Sequence, residues 1–165
     1  MQHPHRELDW SPAIIALCKA FELETVETIL LPLRRRSAGL DLRSDVLDKD
    51  LGRVAKYCSG RTARPPEMGA LCHFLSTAIN SMRRRESSVL VITFYKLIAS
   101  WPRAEWIVEK RGLTAALKHL LTKFRNRAAH IDMMTETEFD KCRSFLREHP
   151  EEVILKLFVA TRSKL

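Results

Sequence analysis

Apolar residues recur along this chain at spacings of three and four, which places them on one face of an α-helix, and no stretch sustains the every-other-residue alternation of a half-buried strand. The clearest case is residues 113–131, where Leu113, Leu117, Leu120, Leu121, Phe124, Ala128 and Ile131 form one narrow stripe at about 100° per residue. His119, Lys123, Asn126, Arg127 and His130 fall on the side away from that stripe, so His130 is not a core histidine. Arg125 sits on the flank. In a regular helix Arg125 and His130 do not share a face; they converge only if the helix ends or bends between them, or if two copies pair and each site borrows from both chains.

The same reading predicts about seven helices, some of them short. Ser11 before Pro12 is a cap residue followed by proline at the first helical position, and Ile14, Leu17, Cys18, Phe21 and Val26 continue at helical spacing to about residue 35. Pro32 is expected to kink or end this helix, leaving Arg34, Arg35 and Arg36 at its negative pole or, alternatively, against RNA. Residues 37–50 read as a connection with at most a short turn, and 51–57 as a brief helix. The stretch 59–66, SGRTARPP, is the clearest loop. Helix resumes over 67–81 with Leu71, Leu75, Ala78, Ile79 and Met82 on one stripe, followed by Arg83, Arg84 and Arg85, either a solvated helix end or a phosphate-gripping patch.

Ser87 and Ser88 offer caps for the apolar run after them. Val89 to Phe94 is the one place rich enough in β-branched residues to suggest a strand, but the length of the segment favours a buried helix. A short helix follows from Pro102 to about 110, Gly112 separates it from the 113–131 helix, and Thr135 with Glu138 three residues later forms a capping-box pattern for a helix to about 149. Pro150, with Glu151 and Glu152 in the first turn, opens the last. The fold class expected is therefore an all-α, up-and-down helical bundle, and 165 residues suit one domain.

Composition narrows the setting. No apolar run approaches the roughly 18 residues of a membrane span, and the most apolar, 89–101, is interrupted by Tyr95, Lys96 and Ser100. The opening MQHPHRELDW lacks the layout of a secretory signal, and Cys18, Cys58, Cys72 and Cys142 are scattered without a C-x-x-C pair. A cytoplasmic chain with reduced, mostly core thiols follows, with no membrane, metal or cofactor called for. The formal net charge of +8 with 29% charged residues puts a basic excess on the folded surface, which attracts polyanions, RNA among them. His3 and His5 flank Pro4, His73 follows Cys72 without further ligands at metal spacing, and His149 ends a helix; Trp10, Trp101 and Trp106 read as core or interface anchors.

Arg125-Asn126-Arg127-Ala128-Ala129-His130, RNRAAH, matches the R-x-x-x-x-H signature of HEPN domains, including a polar residue directly after the arginine and a position late in an all-helical chain. The opening DWSPAIIALCKAFELE also resembles the first helix of some bacterial members. The resemblance implies one HEPN-like domain over 1–165, a metal-independent endoribonuclease (a hydrolase), usually a homodimer with the motif at the dimer interface. It also implies a place in toxin–antitoxin or defence systems, with an antitoxin or regulatory protein as a further partner. The residue types suit that chemistry. A histidine with an ordinary pKa near 6.5 can move a proton among the 2′-hydroxyl, the phosphate and the leaving oxygen at neutral pH, the part expected of His130. A guanidinium stabilises the charge gathering on the phosphate, the part expected of Arg125. Asn126 would orient either group, and Lys123, Arg127 and His119, with Arg83, Arg84 and Arg85, would hold the RNA backbone. The position two after the histidine, a tyrosine in members modified by a partner nucleotidyltransferase, is Asp132 here, which speaks against that form of control. The alternative function is a non-catalytic HEPN-like module for dimerisation, protein docking or RNA binding; an antitoxin role has no DNA-reading signature to support it.

Overall fold

A computed structural model describes residues 8–130, 133–148 and 151–162. The chain is all-helical, and the described residues form ten continuous helical stretches and no strand. The first stretch is α1 (Ser11–Thr25), a π turn (Val26–Leu30) and α2 (Leu31–Arg36). Then come α3 (Arg43–Leu47), α4 (Gly52–Cys58), α5 (Met68–Asn80), α6 (Met82–Ser87), α7 (Val89–Ile98) and α8 (Ala104–Val108). A second compound stretch joins α9 (Leu113–His119), a π turn (Leu120–Arg125) and α10 (Asn126–His130), and α11 (Glu136–Arg147) and α12 (Val153–Thr161) close the chain.

Two of these were not expected: α3, inside the stretch read as a connection, and α6, where Met82 leaves the α5 stripe and is exposed. Ser81 caps α6 by accepting the Arg84 N–H, which makes a separate helix of what looked like a tail. Pro32 does not end the first helix, which continues to Arg36. The widened turn just before it, closed by the Leu31 N–H on the Val26 carbonyl five residues back, opens the helix where a proline ring crowds the preceding turn. Pro102 stands ahead of α8, and the last helix starts only at Val153, after Glu152 in a left-handed conformation (φ 41°), so Glu151 and Glu152 precede its first turn. His3, His5, Ile131, Asp132, His149 and Pro150 lie outside the described residues.

The core is one connected cluster drawn from nearly every element, with Ile14, Phe21, Leu30, Leu33, Tyr57, Phe74, Leu75 and Phe94 fully buried. Trp101 and Trp106 pack at its margin, and Trp10 is tilted on Phe139 at 4.9 Å. Cys18, Cys58 and Cys142 are buried, Cys72 is half-buried, and all four are free thiols; burial pushes the Cys58 thiol up to about 12. Polar contacts set the helix ends. Ser88 accepts the Val91 N–H at 3.0 Å, and the buried Asp45 carboxylate, 45 residues earlier in the chain, accepts the Leu90 N–H at 2.9 Å, fastening α3 to the positive pole of α7. Arg84 reaches Asp48 at 2.8 Å and Asp50 at 3.5 Å, so it ties α6 to the α3–α4 corner. No helix among the described residues is long and apolar enough to cross a membrane.

Candidate functional site

Three anchors hold the RNRAAH helix. Upstream, Gly112 lets the chain enter α9 in contact with α8: a Cβ there would run into the Trp106 carbonyl oxygen. Along its length, Leu113, Ala116, Leu117, Leu120 and Phe124 are buried, with Leu121 and Ala128 partly so, which is the expected stripe as far as the described residues extend. Downstream, the Trp10 backbone N–H donates to the Met134 carbonyl at 2.9 Å, and the Asp9 carboxylate accepts the backbone N–H groups of Ser11 (2.9 Å) and Met134 (3.1 Å). The Ser11 hydroxyl and N–H lead in holding the Asp9 carboxyl below its ordinary range. The segment after α10 is thereby stitched to the start of α1.

The π turn changes the wheel. The Asn126 N–H donates to the Leu121 carbonyl, five residues back instead of four, and this extra residue rotates everything after it by about 100° relative to a regular helix. Arg127 consequently remains with His119 and Lys123, while Asn126 and His130 turn away from them and are exposed. Arg125 is turned toward α1. The five-residue cluster predicted on one face is thus divided, and Arg125 and His130, five residues apart across α-helical turns, point in directions more than about 100° apart.

His119, Lys123 and Arg127 line an open groove of about 700 Å³ between this helix and α11, with Phe124 and Phe145 among its apolar lining. The groove is not a simple phosphate channel, because Glu138, Asp140, Glu148 and Glu151 line it too. Arg127 meets Glu138 at 2.8 Å. Thr135 caps α11 and Glu138 returns the capping box, accepting the Thr135 N–H at 2.9 Å. That N–H is the main reason the Glu138 carboxyl lies below its ordinary range; burial opposes it, and the Arg127 charge adds to the lowering. His119 is engaged in packing, its ring tilted on Phe145 at 4.5 Å with Phe124 edge-on at 5.6 Å.

Arg125 belongs to a different cavity. It is half-buried in a pocket of about 220 Å³ lined also by Ile15, Lys19, Glu22, Leu23, Val26, Arg64, Pro65 and Glu67, and it makes no ion pair among the described residues. Glu22, nearly buried, is occupied by Lys19 at 2.7 Å. Beneath lies Cys18, whose thiol is lowered first by its hydrogen bond to Cys142 and then by the Arg125 charge, against burial. Lys19 and Arg64 are the functional candidates that sequence reading passed over: Lys19 sits a helix away, and Arg64 belongs to the SGRTARPP stretch, which marked itself only as a loop. Arg83, Arg84 and Arg85 are not brought to this region; α6 packs on α5 and α7, with Arg84 paired and Arg83 and Arg85 exposed. Arg34 of the earlier triplet lies over the Tyr57 ring at 4.6 Å, a packing role. Among the described residues no group of three His, Cys, Asp or Glu side chains could hold a metal ion.

No family model matches the chain, and no curated protein or solved structure matches it. The functional reading therefore rests on the RNRAAH segment and its surroundings.

Proposed function

We propose that the protein is a HEPN-type, metal-independent endoribonuclease of the cytoplasm, of the kind used as a toxin or as a defence or stress effector. The observation that carries this is the state of Arg125: a half-buried guanidinium with no ion pair among the described residues, in a pocket lined by Lys19 and Arg64 as well as Glu22 and Glu67, five residues before an exposed histidine. A cation left unpaired in a pocket suits an oxyanion supplied from outside, and π turns recur at functional sites. In the reaction the ribose 2′-oxygen gives up its proton and attacks the adjacent phosphorus. The bond to the 5′-oxygen breaks, that oxygen takes a proton, and a 2′,3′-cyclic phosphate and a 5′-hydroxyl remain. His130 moves the proton, Arg125 stabilises the equatorial oxygens, Asn126 orients one of them, and Lys123 with the groove cations holds the flanking strand.

Because Arg125 and His130 diverge within one chain, the complete site takes Arg125 from one copy and His130 from a second, in a homodimer joined across α10. An antitoxin or regulatory protein that covers α10 would silence it. The same divergence favours the second reading, a binding module that holds RNA on Arg125, Lys19 and Arg64 without cutting it. Incubation of the protein with mixed single-stranded and structured RNA in EDTA separates the two. New ends bearing 2′,3′-cyclic phosphate are expected, whereas salt-dependent binding with no new ends establishes the binding module.

A further inference from the structure

Two of the four thiols meet. The Cys142 thiol on α11 donates a hydrogen bond to the Cys18 sulfur on α1. The two helices pack on each other and both side chains are core, Cys18 1% and Cys142 0% exposed, so the fold holds together sulfurs that stand well over a hundred residues apart in the chain. Cys72 donates instead to the Thr114 carbonyl at 3.8 Å, and Cys58 on α4 lies within reach of the Arg34 charge. The Arg125 pocket is next to the pair: Ile15, Lys19 and Glu22 line it from the turns of α1 that carry Cys18. A pocket of about 220 Å³ has room for several waters, and hydrogen peroxide is little larger than water.

We infer that Cys18 and Cys142 form a redox site, closing to a disulfide when hydrogen peroxide is the oxidant and reopening under a dithiol reductant. The Cys18 sulfur attacks one peroxide oxygen, the O–O bond breaks, and the other oxygen leaves as water with the proton of the Cys18 thiol. Cys18 is then a sulfenic acid. The Cys142 sulfur attacks the Cys18 sulfur, the S–O bond breaks, and the hydroxyl leaves as water with the Cys142 proton. Two thiols and one peroxide thus become one disulfide and two waters, two electrons passing from sulfur to the peroxide oxygens.

Cys18 reacts first. The hydrogen bond from Cys142 and then the Arg125 charge lower its thiol against burial, whereas that same hydrogen bond and burial push the Cys142 thiol up. Closure draws the sulfurs to about 2.05 Å and bonds α1, a wall of the Arg125 pocket, to α11, a wall of the groove. It braces both cavities whatever they bind, so it does not rest on the RNA-cleaving reading. In a reducing compartment such a bond is transient and senses oxidant.

The test treats the full, reduced chain with graded hydrogen peroxide, blocks the remaining thiols with iodoacetamide in urea, and maps the peptides by mass spectrometry. Two of the four thiols are expected to disappear, the chain to lose two hydrogens, and one peptide pair carrying Cys18 and Cys142 to appear, all reversed by dithiothreitol. Because the closed loop is long, the oxidised chain melts roughly 5–10 °C higher. In Cys142→Ala the cross-link is absent and dimedone labels the sulfenic acid left on Cys18. The exposed Met82 and Met133 report the dose. Four thiols surviving a dose that converts both methionines to sulfoxides overturns the inference. So does a disulfide that uses Cys58 or Cys72 or joins two chains, or an oxidised chain that melts no higher than the reduced one. The wild-type peptide map decides the pairing even where Cys142→Ala fails to fold.

Discussion

The guanidinium of Arg127 lies 2.8 Å from the Glu138 carboxylate, so the second arginine of RNRAAH joins α10 to α11, while the first, Arg125, makes no ion pair among the described residues. The pair is half-exposed, and its value is therefore modest: Arg127→Ala lowers stability by about 1 kcal/mol or less. The sign of the pH effect follows from Glu138, whose folded pKa lies below its ordinary value. Its contribution is complete above the ordinary carboxylate range and disappears as pH falls through the lowered folded value. Urea denaturation of the wild-type chain and Glu138→Gln checks this: the two curves stand apart at neutral pH and approach each other in acid.

Asp45 tests the α3–α7 fastening. Its buried carboxylate accepts the Leu90 N–H, and Asp45→Ala leaves that donor without a partner at a cost of roughly 1–3 kcal/mol. Asp45→Asn, which keeps an acceptor oxygen, loses less. Equal losses in the two variants, measured by chemical denaturation, contradict the assignment.

Gly112 tests the entry to the motif helix. A Cβ on Gly112 would run into the Trp106 carbonyl oxygen, and because the obstacle is backbone, relief requires backbone movement. Gly112→Ala is expected to cost about 3 kcal/mol or more, through forced overpacking. Gly60, which has a positive φ of 77° and open space around it, gives the contrasting case: Gly60→Ala costs about 1 kcal/mol of backbone strain. Thermal melts rank the two, and a Gly112→Ala protein as stable as Gly60→Ala contradicts the close approach.

These contacts mark where sequence reading stopped. The capping box Thr135–Glu138, the Ser88 cap and the buried stripe from Leu113 to Phe124 were legible because each depends on residues three or four apart. The Asp45–Leu90 and Arg84–Asp48 contacts were not, since their partners lie 45 and 36 residues apart and the pairing is a property of the fold. The π turn has no local signature either. Leu120, Leu121 and Phe124 satisfy an ordinary helical wheel, and only the Asn126 N–H on the Leu121 carbonyl reveals the extra residue that separates Asn126 and His130 from Lys123. The wheel thus foresaw the exposure of His130 and the flank position of Arg125, but not the pocket that α1 and the 59–67 loop build around Arg125.

That pocket makes its own prediction. If Arg125, Lys19 and Arg64 hold phosphate, Arg64→Ala weakens RNA binding about equally across sequences and reduces the salt slope by about one counterion. Lys19→Ala acts on the same slope but also releases the nearly buried Glu22, so it costs stability where Arg64→Ala does not. Fluorescence anisotropy over a salt series reads the slope, and an unchanged slope in Arg64→Ala removes the pocket from the RNA path.

The central claim is a metal-independent site completed by two copies, and mixing two inactive variants in EDTA tests it most directly. Arg125→Ala and His130→Ala each lower cleavage by about a hundredfold or more with melting unchanged, because both residues lie off the core stripe. In a mixed dimer one site loses both groups and the other keeps both, so the account predicts that the mixture regains a substantial share of wild-type cleavage. A mixture as inactive as its components, beside an active wild-type protein, contradicts the two-chain site, and a wild-type protein that yields no new RNA ends contradicts the nuclease itself.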